Sequence, residues 1–129
     1  MHFGYTIVYV PDVKKATDFY DAAFDFKVRF NADDWDYAEL DSGDTTLAFA
    51  AESMGDVTGV TFTPNRPDAK AAGIELAFVT SDVEAGFAAA IKAGATEVTK
   101  PHQMPWGQTV SYVRDLNGVL VEICSPVSG

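Results

Sequence analysis

Of the 129 residues one is cysteine, Cys124, and two are histidine, His2 and His102. A lone thiol forms no intrachain disulfide, and a chain this poor in thiol and imidazole has few of the donors that transition-metal sites use. Positive charge is also scarce: nine Lys and Arg stand against nineteen Asp and Glu, a formal charge of −10. That balance repels phosphate backbones and excludes nucleic acid as a partner, while it attracts a cationic ligand. No apolar stretch approaches the roughly 20 residues that span a bilayer, so no membrane partner is expected. The first residues, MHFGYTIVYVPDVKKATDFY, lack the basic start and apolar run of a secretory signal, and the expected location is the cytoplasm. Glycine- or serine-rich low-complexity tracts are absent too, so residues 1–129 are expected to form a single domain.

What is present repeats. FGYTIVYV, β-branched and aromatic and closed by Pro11, predicts a strand. DVKKATDFYDAAF places Val13, Ala16, Phe19 and Ala23 at helical spacing, with Asp12 suited to the N-cap. Strand-like pieces follow near 26–31, 35–41 and 45–50, with Asp41-Ser-Gly-Asp44 as a hairpin turn. Residues 51–72 mix Gly, Pro and Asn around GVTFT and predict a connector with some β structure. Then the rhythm restarts. IELAFVT predicts a strand, SDVEAGFAAAIKAG a helix capped by Ser81 or Asp82 and stopped near Gly94, and three more strands follow near 96–99, 108–114 and 118–124. Tyr5, Asp12 and Val13 recur as Glu75, Asp82 and Val83, each pair 70 residues apart. The fold expected is α+β, two tandem βαβββ repeats at about 1–50 and 73–126, with curved mixed sheets enclosing a cleft.

Strand alternation sorts the faces. Tyr5, Ile7 and Tyr9 are sent to the concave side, away from the helix, as are Glu75, Ala77 and Val79, and Leu120, Glu122 and Cys124. Trp35, Tyr37 and Glu39 alternate together in the third strand and are assigned to the cleft. With Tyr5 they make an aromatic wall beside carboxylates, suited to stacking a flat ring and holding a cation, or else they complete the core or a dimer contact. MPWGQ, residues 104–108, adds Trp106 in a loop ahead of the strand that bears Tyr112. Trp106 either grips a ligand or packs the loop onto the body. His102 falls in the same loop.

With its paired βαβββ units, the opening YVPDVKKATDFYDAAFDFKV and the closing VRDLNGVLVEI, the chain resembles the vicinal-oxygen-chelate superfamily of glyoxalases, bleomycin-resistance proteins and extradiol dioxygenases. The resemblance implies a homodimer in which clefts form within or across chains. It also implies metal-ligand stations at Tyr5, about Ala48, Glu75 and Glu122. Only Glu122 carries the usual residue: histidine is expected where Tyr5 and Glu75 stand, Ala48 has no donor, and Leu116 replaces a turn proline.

The expected metal site is therefore none, and the expected cofactor none, with a divalent metal at Glu75 and Glu122 as the alternative. The leading expectation is a metal-independent protein that binds and sequesters a cationic or aromatic small molecule, such as a bleomycin-type antibiotic. Its binding residues are Tyr5, Trp35, Tyr37, Glu75, Trp106, Tyr112 and Glu122. The alternative is a glyoxalase-like lyase, isomerase or dioxygenase in which Glu122 and Glu75 are catalytic, by acid/base work or weak metal binding. A third reading is an interaction module with a vestigial cleft.

Overall fold

The computed structural model describes residues 1–127. It comprises two compact units, one running from Met1 to Pro64 and the other beginning at Asn65. The division falls inside the expected connector, so residues 51–64 belong to the first unit and residues 65–72 to the second.

The first unit runs β1 (Tyr5–Val10), α1 (Val13–Phe24), β2 (Val28–Asn31), β3 (Tyr37–Leu40), β4 (Thr46–Ala51) and a short helix, α2 (Met54–Thr58). Its four strands lie in the order β1-β4-β3-β2, with β1 and β4 parallel and the other neighbours antiparallel. The second unit runs β5 (Glu75–Val79), α3 (Val83–Ala93), β6 (Thr96–Gln103), β7 (Thr109–Arg114) and β8 (Leu120–Cys124), in the matching order β5-β8-β7-β6. The fold is α+β, two four-stranded mixed sheets each carrying its own helix, as the repeat predicts.

The helices start where the 70-residue repeat puts them. Asp12 Oδ1 accepts the Lys15 backbone N–H at 3.0 Å and Asp82 Oδ1 accepts that of Ala85 at 3.1 Å, so Asp82, not Ser81, caps the second helix. Asp25 and Gly94 end the helices in left-handed conformation. α1 buries Val13, Ala16, Phe19, Tyr20 and Ala23, and the Tyr20 ring meets Phe49 of β4 edge-on at 4.9 Å. Phe49 thus faces the helix, and its neighbours Ala48 and Ala50 face the other way. In the second unit a Cβ on Gly86 would stand 3.1 Å from Ile123 Cγ2, a closeness that seats α3 directly on β8. Ile123 is therefore on the helix face, and Glu122 and Cys124 are on the opposite one.

Three expectations need correction. GVTFT is not a strand: Gly59 closes α2 at φ +79, and the chain then folds back, so that Phe62 packs against Gly55 and stacks on Tyr9 at 4.4 Å. β3 begins at Tyr37 instead of residue 35, because Ala32 and Trp35 form a hydrogen-bonded turn in which Trp35 has φ +56. His102 lies within β6, paired with Val110, because that strand continues past Pro101 through register shifts. No helix among the described residues is long and apolar enough to cross a membrane.

Candidate functional site

The sequence-derived candidates divide between the units: Tyr5, Trp35 and Tyr37 lie in the first, and Glu75, Trp106, Tyr112 and Glu122 in the second. Register decides which of them meet. Across the second sheet Ala77 pairs with Glu122 and Glu122 with Tyr112, so the carboxylate sits on the inner strand between a small residue and a phenol. Across the first sheet Ile7 pairs with Ala48 and Ala48 with Glu39. Ala48 and Glu122 are thus equivalent, and Glu39 and Tyr112 are equivalent; in the first unit the acid is displaced by one strand.

That displacement changes its chemistry. Glu39 Oε1 accepts from Arg29 Nη2 at 3.1 Å and Glu39 Oε2 accepts the Tyr37 hydroxyl at 2.8 Å. Arg29 Nη2 also donates to Thr46 Oγ1 at 2.8 Å. Burial, and then the hydrogen bond to Glu39, push the Tyr37 hydroxyl well above its ordinary range, so it stays protonated and donates. The first unit's acid is neutralised and its two oxygens are occupied. Tyr5, across from Thr46 on β1, contributes to the electrostatics of Tyr37 and is itself exposed. Trp35 leaves this group: its turn puts the ring under the Lys14 ammonium of α1, with the nitrogen 5.3 Å from the ring centroid.

In the second unit the acids meet each other. Glu75 is the diagonal neighbour of Glu122, since Glu75 pairs with Leu120 and Ala77 with Glu122. The register sets the two carboxyl groups near enough to act on each other electrostatically. Desolvation, then the hydrogen bond and charge of Glu122, raise Glu75 above the ordinary glutamate range. Glu75 stands on an edge strand and is exposed, so the neighbouring carboxyl is the cause on which the site's chemistry rests. The Tyr112 hydroxyl donates to Glu122 Oε1 at 3.2 Å, and burial followed by the charge of Glu122 push the phenol up to about 12. Cys124, buried one alternation further along β8, is pushed up to about 11 by burial and then by the Glu122 charge, which keeps it a thiol.

Among the described residues no Lys, Arg or His forms an ion pair with either glutamate. The nearest arginine in the row, Arg114, turns away. It donates to the backbone oxygens of Gly118 (2.9 Å), Arg66 (3.2 Å) and Pro67 (3.3 Å). Trp106 is exposed at the tip of the β6–β7 hairpin, where its indole N–H donates to Gln108 Oε1 at 2.9 Å. Gln108 was not among the sequence candidates; a glutamine two residues after a loop tryptophan carries no motif, and only the fold shows what it holds.

Two comparisons with known proteins bear on this geometry. The model of the Glyoxalase/Bleomycin resistance protein/Dioxygenase superfamily matches residues 2–123, and the chain belongs to that superfamily. No curated protein matches the chain. Among solved structures, a glyoxalase/bleomycin resistance protein/dioxygenase family enzyme from Burkholderia phytofirmans PsJN is 19% identical with a TM-score of 0.83, covering 99% of this chain and 100% of that one. A glyoxalase-related enzyme from Fulvimarina pelagi is 17% identical with a TM-score of 0.82, covering 98% of this chain and 88% of that one. TioX from Micromonospora sp. ML1 is 24% identical with a TM-score of 0.72, covering 97% of this chain and 98% of that one. At these identities the likeness is one of fold.

The metal that the superfamily implies can be tested against the donors. At the first unit's stations Ala48 supplies no donor and Tyr5 a single phenol oxygen; at the second unit's, Glu75 and Glu122 supply two carboxyl groups, and among the described residues no histidine is grouped with them. Among the described residues no group of three or more His, Cys, Asp and Glu is placed to hold an ion. Two oxygen-bearing groups fall short of the ligand sets that hold Zn, Ni or Fe. The residues present do not fit a transition-metal centre.

Proposed function

We propose that this protein binds a small cationic or aromatic compound and holds it without metal and without turnover, a bleomycin-type antibiotic being one candidate. The observation that carries this reading is the Glu75–Glu122 pair: two acids that are diagonal neighbours in the register, with a tyrosine hydroxyl on one of them and, among the described residues, no basic side chain paired to either. Adjacent carboxylates repel, so a cation set between them relieves a repulsion that a single acid does not have. A ligand ammonium set between them supplies the charge that Arg29 supplies to Glu39 in the first unit. The net charge of −10 adds long-range attraction for such a ligand.

One observation favours the enzymatic alternative. Glu75 is raised above the ordinary glutamate range by desolvation and by Glu122, which itself accepts the Tyr112 hydroxyl, so two carboxyl groups in unlike surroundings stand side by side, as acid/base work requires. A lyase or isomerase reaction would need a substrate carbon seated against both, and it remains the second reading.

Equilibrium titration against a panel of cationic glycopeptide and aromatic antibiotics, run with and without a chelator, tests the proposal. Saturable binding that survives chelation and is weakened in Glu122→Gln supports it. Binding that requires a stoichiometric transition metal, or that no compound of the panel shows, removes it.

A further inference from the structure

Trp106 is 59% exposed, and an indole so open to solvent ordinarily moves among rotamers. Here it is pinned through Gln108. The Gln108 amide has its oxygen on the indole N–H at 2.9 Å and its nitrogen on the Ser125 backbone oxygen at 2.9 Å. Because a carbonyl accepts only, the amide orientation is fixed: nitrogen to Ser125, oxygen to Trp106. Ser125 is itself tied to the start of β7 by its backbone N–H to Thr109 O and by its hydroxyl accepting the Thr109 N–H, both at 2.9 Å. The turn beneath is closed by Met104 N–H to Gln108 O at 2.8 Å and by Gly107, at φ +94, whose N–H reaches Met104 O at 2.9 Å.

Gln108, Val110 and Tyr112 alternate on one face, the face that also bears Glu122 and Cys124. Cys124 pairs with Val110 and stands one alternation from Glu122, between the Gln108 end of this face and the acid pair. The exposed indole, held by Gln108, and the acid pair therefore lie along one face of the second sheet. At about 3.3 Å per residue, the four steps from Gln108 to Tyr112 separate the two ends by on the order of 10 Å.

We infer that Gln108 is a positioning residue that holds Trp106 as a fixed stacking wall, so that this face takes compounds in which a flat aromatic ring is joined to an ammonium group. The ammonium half rests on the reading of Glu75 and Glu122 given above; the ring half rests on the hairpin alone. An indole ordered before the ligand arrives has no ordering to lose on binding, an advantage of roughly threefold to tenfold in affinity.

The test uses Gln108→Met, similar in length without the amide, and Gln108→Glu, which keeps an acceptor for the indole. In a Trp35→Phe background, acrylamide quenching and fluorescence anisotropy report on Trp106. Gln108→Met is expected to raise quenching and lower anisotropy, and Gln108→Glu to restore part of the order. Calorimetric titration with quinacrine, an acridine bearing an alkylamine arm, and with spermidine, an amine without a ring, reads the ligand class in the protein with both tryptophans. Gln108→Met should weaken quinacrine by roughly threefold to tenfold and leave spermidine unchanged. Unchanged quenching, or quinacrine binding untouched in Gln108→Met, overturns the inference. If spermidine still binds and Glu122→Gln still weakens it, the acid-pair reading survives that failure. If neither compound binds the unaltered protein, both fall.

Discussion

Glu122 stands in the second sheet where Ala48 stands in the first, each on the strand that pairs in parallel with the opening strand of its unit. One repeat keeps the central carboxylate and the other moves it to Glu39, where Arg29 binds it. The two units share a topology and differ in charge. Among the described residues Glu122 and its neighbour Glu75 have no such basic partner.

Reversing that difference should be damaging. Ala48 is fully buried and lies beside Glu39. Ala48→Glu would overpack the position, at a cost of about 1–3 kcal/mol, and would set a second carboxylate against an acid whose arginine is already engaged. Urea denaturation is expected to show a lower midpoint with little change in slope.

The acid pair makes stability depend on pH with a definite sign. Glu75 is raised in the folded chain, so its contribution is fully present below the ordinary glutamate range and is lost as pH rises through the raised value. Thermal stability should fall across that window. Glu122→Gln removes the neighbouring charge, moves the Glu75 titration downward and flattens this part of the profile. Carbon-detected NMR of the side-chain carboxyls against pH, with melting curves at the same pH values, checks both statements.

Gly43 and Gly118 both have left-handed φ, at +102 and +87, yet only one is crowded. A Cβ on Gly118 would fall 2.4 Å from the Arg66 oxygen and 2.6 Å from Arg114 Nη2, whereas one on Gly43 meets nothing within 4 Å. Both alanine variants carry the backbone penalty of about 1 kcal/mol, and Gly118→Ala should lose clearly more because it also breaks the hold of Arg114 on residues 66–67. Paired denaturation curves separate the two effects.

Much of this was legible in the sequence because it rests on local rules. Asp12 announced the first helix start and the Ser81-Asp82 pair the second, and alternation set Glu122 opposite the helix-facing Ile123. What escaped depends on departures from regularity. Trp35 reads as a strand residue until its φ of +56 takes it into a turn and onto Lys14. The register shift between Val28 and Phe30 puts Arg29 within reach of Glu39, a pairing ten residues long that no period predicts. His102 reads as part of the loop that holds Trp106, and the register shifts in β6 carry the strand past Pro101 and through His102. Gln108 gained its role only because Ser125 comes alongside it.

The charge on the pair, more than its shape, should govern affinity for a cation. Replacing either acid by its amide keeps the size and removes a charge-assisted contact worth about 1–2 kcal/mol, so Glu75→Gln and Glu122→Gln are each expected to weaken an ammonium ligand roughly fivefold to thirtyfold. The double variant should lose little beyond the worse single one, since the two act on one cation. Calorimetry with spermidine on the three variants reads this directly.

The most direct test of the central claim is a spermidine titration of the metal-stripped protein and of Glu122→Gln under identical chelating conditions. The account predicts saturable binding in the first and a marked loss in the second, with Ala48 and the first unit untouched. Equal affinity in the two proteins, or binding that returns only when a transition metal is restored, would contradict it.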